Sequence, residues 1–132
     1  MIFTRGLRVC LAVEPVDFRK SFEGLALVVK GVLGEDERSS KIFVFTNRKR
    51  DRIRLLYWDG GGLWLLTKKL EMGNFSWPDA AASHGRVKMR IKSEVLQMIL
   101  SGIDLKGARM RPWYEDTSGL PGAEEDEGPE ES

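Results

Sequence analysis

Five basic side chains and one acid stand within the seven residues Arg48-Lys49-Arg50-Asp51-Arg52-Ile53-Arg54. Such a cluster suits a polyanion, because each Lys or Arg that neutralises a phosphate releases a condensed counterion and supplies affinity without reading sequence. Further cations stand at Lys68 and Lys69, and another pair, Arg19 and Lys20, follows Asp17. If Asp17 caps a helix, Arg19 and Lys20 fall in its first turn, where the macrodipole disfavours positive charge by about 0.3–1 kcal/mol each. Two readings stand for that pair. Either a helix N-terminus and two cations together favour a phosphate, or Glu14, Asp17 or Glu23 pairs with them.

Catalytic chemistry is harder to find. Metal-dependent strand transfer needs carboxylates converging on divalent ions, whereas Asp17, Asp51, Asp59 and Asp104 are each accounted for by a cap, a charge pair or a turn. His84 is the one histidine, which excludes a histidine pair, and with Cys10 as the one cysteine no zinc-type ligand set is available. Cys10 lies in a β-prone run, where a small buried hydrophobe is the common case. The glycines 60–62 lack the Gly-Lys-Ser/Thr that completes a phosphate loop, so they are turn residues. The expectation is a protein that is not an enzyme, with no catalytic residue, metal or cofactor.

The charge total misleads. The 132 residues carry 21 bases and 20 acids, a net +1. Residues 115–132 hold eight of those acids and no Lys or Arg, leaving 21 bases against 12 acids, or +9, in the preceding 114 residues. The acidic segment has only Leu120 and Ala123 as apolar residues and cannot offset its ordering entropy. A single folded domain over 1–114 and a disordered acidic tail over 115–132 are therefore expected. The tail either docks on the basic body or is a solvated appendage. With no apolar run near the roughly 18 residues that span a bilayer, and no basic-then-apolar start, a cytoplasmic protein with no membrane partner is expected.

The elements that must position these charges follow from periodicity. Leu7, Val9, Leu11 and Val13 alternate with Arg8 and Cys10 in a strand ended by Pro15. Asp17 then caps a long helix with Phe18, Phe22, Leu25, Val29 and Val32 on its apolar stripe, closed near Gly34. Ile42-Phe43-Val44-Phe45 reads as a strand central in a sheet. Residues 52–58 and 63–70 form a hairpin over Asp59-Gly60-Gly61-Gly62.

A two-residue turn at Asp59-Gly60 or Gly60-Gly61 puts Arg52, Arg54, Leu56, Trp58, Leu63, Leu65, Thr67 and Lys69 on one face. Ile53, Leu55, Tyr57, Trp64, Leu66, Lys68 and Leu70 fall on the other, which is read as core. A three-residue turn would change the parity and bring Trp64 beside Trp58. The mixed first face fits a phosphate backbone plus a stacking aromatic, or a solvated strand end with Trp58 under the sheet. Val87, Met89 and Ile91 alternate with basic residues in a strand with a basic outer face, and Ser93 caps a short helix with Val95, Leu96, Ile99 and Leu100 inward. The whole is an α+β fold: a small mainly antiparallel sheet with one long and one short helix, in the order β-α-β-β-β-(β)-α.

Several segments stand together in a familiar order: residues 16–25, Ile42 to Phe45, Asp51 to Gly62, Leu70-Glu71, Phe75-Ser76-Trp77-Pro78 and Leu100 to Asp104. Over about residues 5–114 the chain resembles the small TnpB (second open reading frame) accessory proteins of IS66-type bacterial insertion sequences. The RNA-guided nuclease that shares the name TnpB is far larger and depends on an acidic catalytic site. The resemblance implies an accessory of DNA transposition encoded beside a separate transposase, and carries no catalytic residue over.

Two functions are compatible with it. One is binding of element ends or target DNA through Arg48, Lys49, Arg50, Arg52, Arg54, Lys68 and Lys69, with Arg19 and Lys20. The other is a protein–protein adaptor for the transposase, anchored by Trp58, Trp77, Trp113 and Tyr114, since aromatic side chains dominate interface hot spots.

Overall fold

The computed structural model describes residues 7–79 and 83–105. Its elements in chain order are β1 (Val9–Ala12), α1 (Phe22–Gly31), β2 (Ile42–Thr46), β3 (Arg52–Trp58), β4 (Leu63–Lys69), β5 (Lys88–Ile91) and α2 (Ser93–Leu100). The strands form a five-stranded sheet in the order β4-β3-β2-β1-β5. β1 and β2 are parallel and the other neighbours antiparallel, which is the expected α+β architecture. The expected boundary near Tyr114 and the tail 115–132 lie outside the described residues.

β2, apolar up to its last residue Thr46, takes the middle of the sheet, with all five residues buried. Alternation sends Phe43 and Phe45 to one face, where Cys10, Ala12 and Leu56 meet Leu25, Val29 and Leu33 from α1 and the turn after it. Ile42 and Val44 point to the other face and join Val9, Leu11, Met89 and Ile91 under Val95, Leu96 and Ile99 of α2. One helix thus covers each face. Parallel neighbours cannot be joined by a tight turn, so the chain must cross over the sheet between β1 and β2, and α1 is that crossover.

The long helix starts later than its apolar spacing suggests. Asp17 accepts from the backbone N–H of Arg19 at 2.9 Å, closing a local turn instead of capping the helix. α1 begins at Phe22, with Ser21 at its N-cap position and no side-chain cap bond. Phe22 and Val32 are accordingly exposed, and Leu25, Val29 and Leu33 carry the buried stripe. Gly34, at φ 65°, turns the chain away beyond the helix, as expected.

The hairpin has the register of a Gly60-Gly61 turn, with Trp58 opposite Leu63 and Arg52 opposite Lys69. The predicted faces are therefore right, but their burial is not. The mixed face is covered by α1, which buries Leu56 fully and Leu63 and Leu65 partly. On the face read as core, α2 covers Ile53 and Leu55 but leaves Trp64 and Leu66 of the edge strand exposed.

Beyond α1, Glu35 sits in a charged cluster. Its carboxylate accepts from Lys41 Nζ at 2.7 Å and from Lys88 Nζ, while Glu35 and Lys41 side chains are 8% and 7% exposed. Burial pushes the Glu35 carboxyl up, but the two ammonium hydrogen bonds and charges outweigh it and hold the pKa below its ordinary value. A depressed carboxylate stabilises the fold above the ordinary range and loses that contribution as pH falls through the folded value. Glu35→Gln leaves Lys41 buried without a counter-charge and is expected to cost about 3–5 kcal/mol at neutral pH. Urea unfolding as a function of pH checks this: the gap between the two proteins should narrow in acid, as the unsubstituted protein loses the same interaction.

Candidate nucleic-acid interface

Because β1 and β2 run parallel, their C-terminal ends emerge at one end of the sheet, where β3 begins and β4 finishes. Two loops meet there. The loop after β1 is pinned to β2 by the Val16 N–H, which donates to the Thr46 carbonyl at 2.9 Å. The turn between β2 and β3 is closed by Asn47, whose Oδ1 accepts from the N–H groups of Asp51 and Arg52, each at 3.1 Å. Asn47 Nδ2 donates to the Asp51 carboxylate at 2.7 Å, and the Arg50 N–H donates to the Asn47 carbonyl at 3.0 Å. Three successive cations, Arg48, Lys49 and Arg50, are thereby held at the tip. Between loop and turn lies a cleft of about 550 Å³, walled by Pro15, Phe18 and Arg19 on one side and Arg48, Lys49 and Arg52 on the other.

Two acids at this end, Asp17 and Asp51, are already engaged. Asp17 takes the Arg19 guanidinium in a two-pronged contact, with Nη2 to Oδ2 at 2.7 Å and Nε at 3.0 and 3.1 Å. That side-chain bond first, and the Arg19 backbone N–H second, lower the Asp17 pKa to about 2. Of the two readings of Arg19, pairing with Asp17 is the one observed, and Arg19 and Lys20 lie in the loop before α1, outside its first turn. Asp51 is held below its ordinary pKa by the Asn47 hydrogen bond, with the charges of Arg52 and Lys69 adding to it.

The nine basic candidates divide by what they touch. Lys20, Arg48, Lys49, Arg50, Arg52 and Lys69 have no side-chain hydrogen bond or ion pair among the described residues. Arg52 and Lys69 are direct cross-strand neighbours, a like-charge pairing that disfavours the hairpin. Arg54 is a clamp: it donates to the Lys20 carbonyl at 2.6 Å and to Thr67 Oγ1 at 3.0 Å, with its guanidinium 4.6 Å over the Phe18 ring. Lys68 lies on the opposite face and donates to the Leu100 carbonyl at the end of α2. The structure sets Lys68 apart on the other face, and holds Arg54 beside the rest but engaged.

The aromatic candidates divide as well. Trp58 stands at the far end of β3, about 20 Å from Arg52 at strand rise, and Arg38 covers its ring at 4.9 Å. The basic end and this aromatic are not adjacent, contrary to the expectation of a combined surface. Trp77 is 7% exposed and donates its indole N–H to the Ala12 carbonyl at 3.0 Å, so it is a core residue tying the 75–77 segment to β1, not a surface anchor. Trp113 and Tyr114 lie outside the described residues. The exposed tryptophan among the described residues is Trp64, whose indole N–H donates to Asp59 at 2.7 Å. Alternation placed it on a face taken as core, and only the short reach of α2 leaves it open.

Among the described residues no three His, Cys, Asp or Glu side chains are grouped to hold a metal ion, and no helix is long and apolar enough to cross a membrane. The family profile described as IS66 Orf2 like protein matches residues 7–110. The chain belongs to the IS66 Orf2-like family. It is 36% identical over 109 residues to the uncharacterized protein y4jC of Sinorhizobium fredii, covering 83% of this chain and 90% of that one. A second relative from the same organism, the uncharacterized protein y4hO, is 35% identical over 100 residues, covering 76% and 84%. No solved structure matches. The IS66 Orf2-like assignment makes this a transposition-associated accessory protein.

Every position of the basic end lies within the region matched to the IS66 Orf2-like family. One of them is locally strained: Arg50 has φ 60°, a left-handed conformation that glycine adopts more readily. Arg50→Gly is therefore expected to leave stability unchanged or raise it by up to about 1 kcal/mol. The same substitution should weaken binding to a polyanion. Thermal unfolding and heparin-column elution, measured on one protein preparation, check both halves.

Proposed function

We propose that this protein is a non-catalytic accessory of insertion-sequence transposition that binds DNA, at element ends or target, through the basic end of its sheet. The observation that carries the reading is the set of side chains Lys20, Arg48, Lys49, Arg50, Arg52 and Lys69, gathered at one end without hydrogen-bond or ion-pair partners among the described residues. Paired charges would have to break existing bonds to meet a phosphate, whereas these six are free to do so. Arg19, held by Asp17, borders the same cleft, and Arg54 supports it from below by fixing the Phe18–Lys20 backbone. The separate transposase would supply the strand chemistry.

A second reading, an adaptor that holds the transposase, draws on a different surface. β4 is an edge strand of seven residues with Trp64 and Leu66 exposed, and such an edge can accept a strand from a partner. Trp64 takes the place that Trp77 cannot fill.

Fluorescence anisotropy with terminal-repeat and random duplexes over a salt series tests the first reading. The logarithm of affinity should fall linearly with log salt, and combining Arg48→Ala, Lys49→Ala, Arg50→Ala and Arg52→Ala should flatten that slope by about 0.9 for each phosphate no longer neutralised. No affinity at low salt, or a slope the four substitutions leave unchanged, overturns it. Transposase co-purification from nuclease-treated lysate that survives these four substitutions and fails with Trp64→Ala would instead favour the adaptor.

A further inference from the structure

Leu105, the last described residue, lies at the basic end. The Leu105 N–H donates to Ser76 Oγ at 3.0 Å, and the N–H of the adjacent Phe75 donates to the Arg50 carbonyl at 2.7 Å. Asn74 Nδ2 donates to the Lys49 carbonyl at 2.6 Å, so the segment that receives Leu105 is fastened directly to the cationic turn. Leu105 is thus two hydrogen bonds and one peptide unit from Arg50. Ten residues, 106–115, lead from it to Glu115, the first of the eight acids, and ten residues reach at most about 33–36 Å. The acids are tethered within reach of the six cations of the basic end.

We propose that the acidic segment 115–132 occupies the basic end of the sheet and competes there with DNA. The occupant is identified by charge and position: eight carboxylates without a base, joined to the fold beside a surface where Asp17 and Asp51 are already engaged and six cations are not. A tether of this length gives an effective concentration in the millimolar range, so even weak ion pairing excludes a diffusing polyanion. A run of carboxylates presents the same charge sign as a phosphate backbone but is short and intramolecular, so the duplex displaces it when enough phosphates engage at once. The segment also lies beyond residues 7–110, the region matched to the family, which makes it an addition to the IS66 Orf2-like body. The competition rests on the DNA-binding reading; the docking does not.

The test uses the 132-residue chain and a second one in which the eight acids are neutralised together by Glu→Gln and Asp→Asn substitutions at 115, 116, 124, 125, 126, 127, 130 and 131. Zero-length carboxylate–amine cross-linking of the unsubstituted protein should join the segment to Lys20, Lys49 or Lys69. Lys92, at the opposite end of the sheet after β5, is the control. In anisotropy the neutralised protein should bind a random duplex about three- to tenfold more tightly near 50 mM salt, and the two curves should converge as salt screens the ion pairing. Cross-links confined to Lys106, or as frequent at Lys92 as at Lys49, overturn the docking. Cross-links at Lys49 with equal DNA affinities overturn the competition. If neither protein binds DNA while the Lys49 cross-links form, the DNA reading fails and the docking stands.

Discussion

The parallel pairing of β1 with β2 at the centre of the sheet is the constraint on which the molecule's arrangement depends. It forces the chain across one face as α1, and it makes the strands finish side by side. The loop after β1 and the turn after β2 then have nowhere to go but the same end of the sheet. Antiparallel additions on the β2 flank bring the start of β3 and the finish of β4 to that end too, adding Arg52 and Lys69 to the cations of the turn. Ligands of open sheets with parallel strands commonly bind outside the carboxyl ends of those strands, for this topological reason.

Several local rules are broken at that end. Arg50 adopts a left-handed backbone that costs about 1–2 kcal/mol for a residue with a side chain. Arg52 faces Lys69 across the strands, and Asn47 must contribute three hydrogen bonds to hold the turn in shape. The rest of the fold supplies the margin: residues such as Leu25, Phe43, Phe45 and Leu96 are fully buried, and the Glu35 carboxylate is held by both Lys41 and Lys88. A left-handed arginine and a like-charged cross-strand pair gathered at one surface are the kind of local conflict that a binding site imposes on a stable scaffold.

Much of the fold was legible because its signals are local. The unbroken apolar run at β2 required a central strand, and the Asp-Gly-Gly-Gly run set a hairpin whose register followed from counting. What failed depended on a choice between partners that spacing cannot rank. Asp17 was equally able to cap a helix or to bind Arg19, and its pairing with Arg19 moved the helix start to Phe22. Trp77 carries the same ring as a surface anchor, and only the Ala12 carbonyl at the end of β1 draws it inside. Of the candidate site, the 48–52 cluster was readable from composition. The roles of Arg54 and Lys68 were not, because they reach backbone carbonyls 34 and 32 residues away.

The central claim is one of place: a polyanion meets the protein at the end of the sheet where β1 and β2 finish. Amide chemical-shift mapping with a short duplex at low salt tests it most directly. The account predicts shifts concentrated at residues 16–20, 47–52 and 68–69, with Ile91 at the finish of β5, Lys92 and the start of α2 unmoved. Shifts centred on Lys92 and α2, or none at any site, would contradict it.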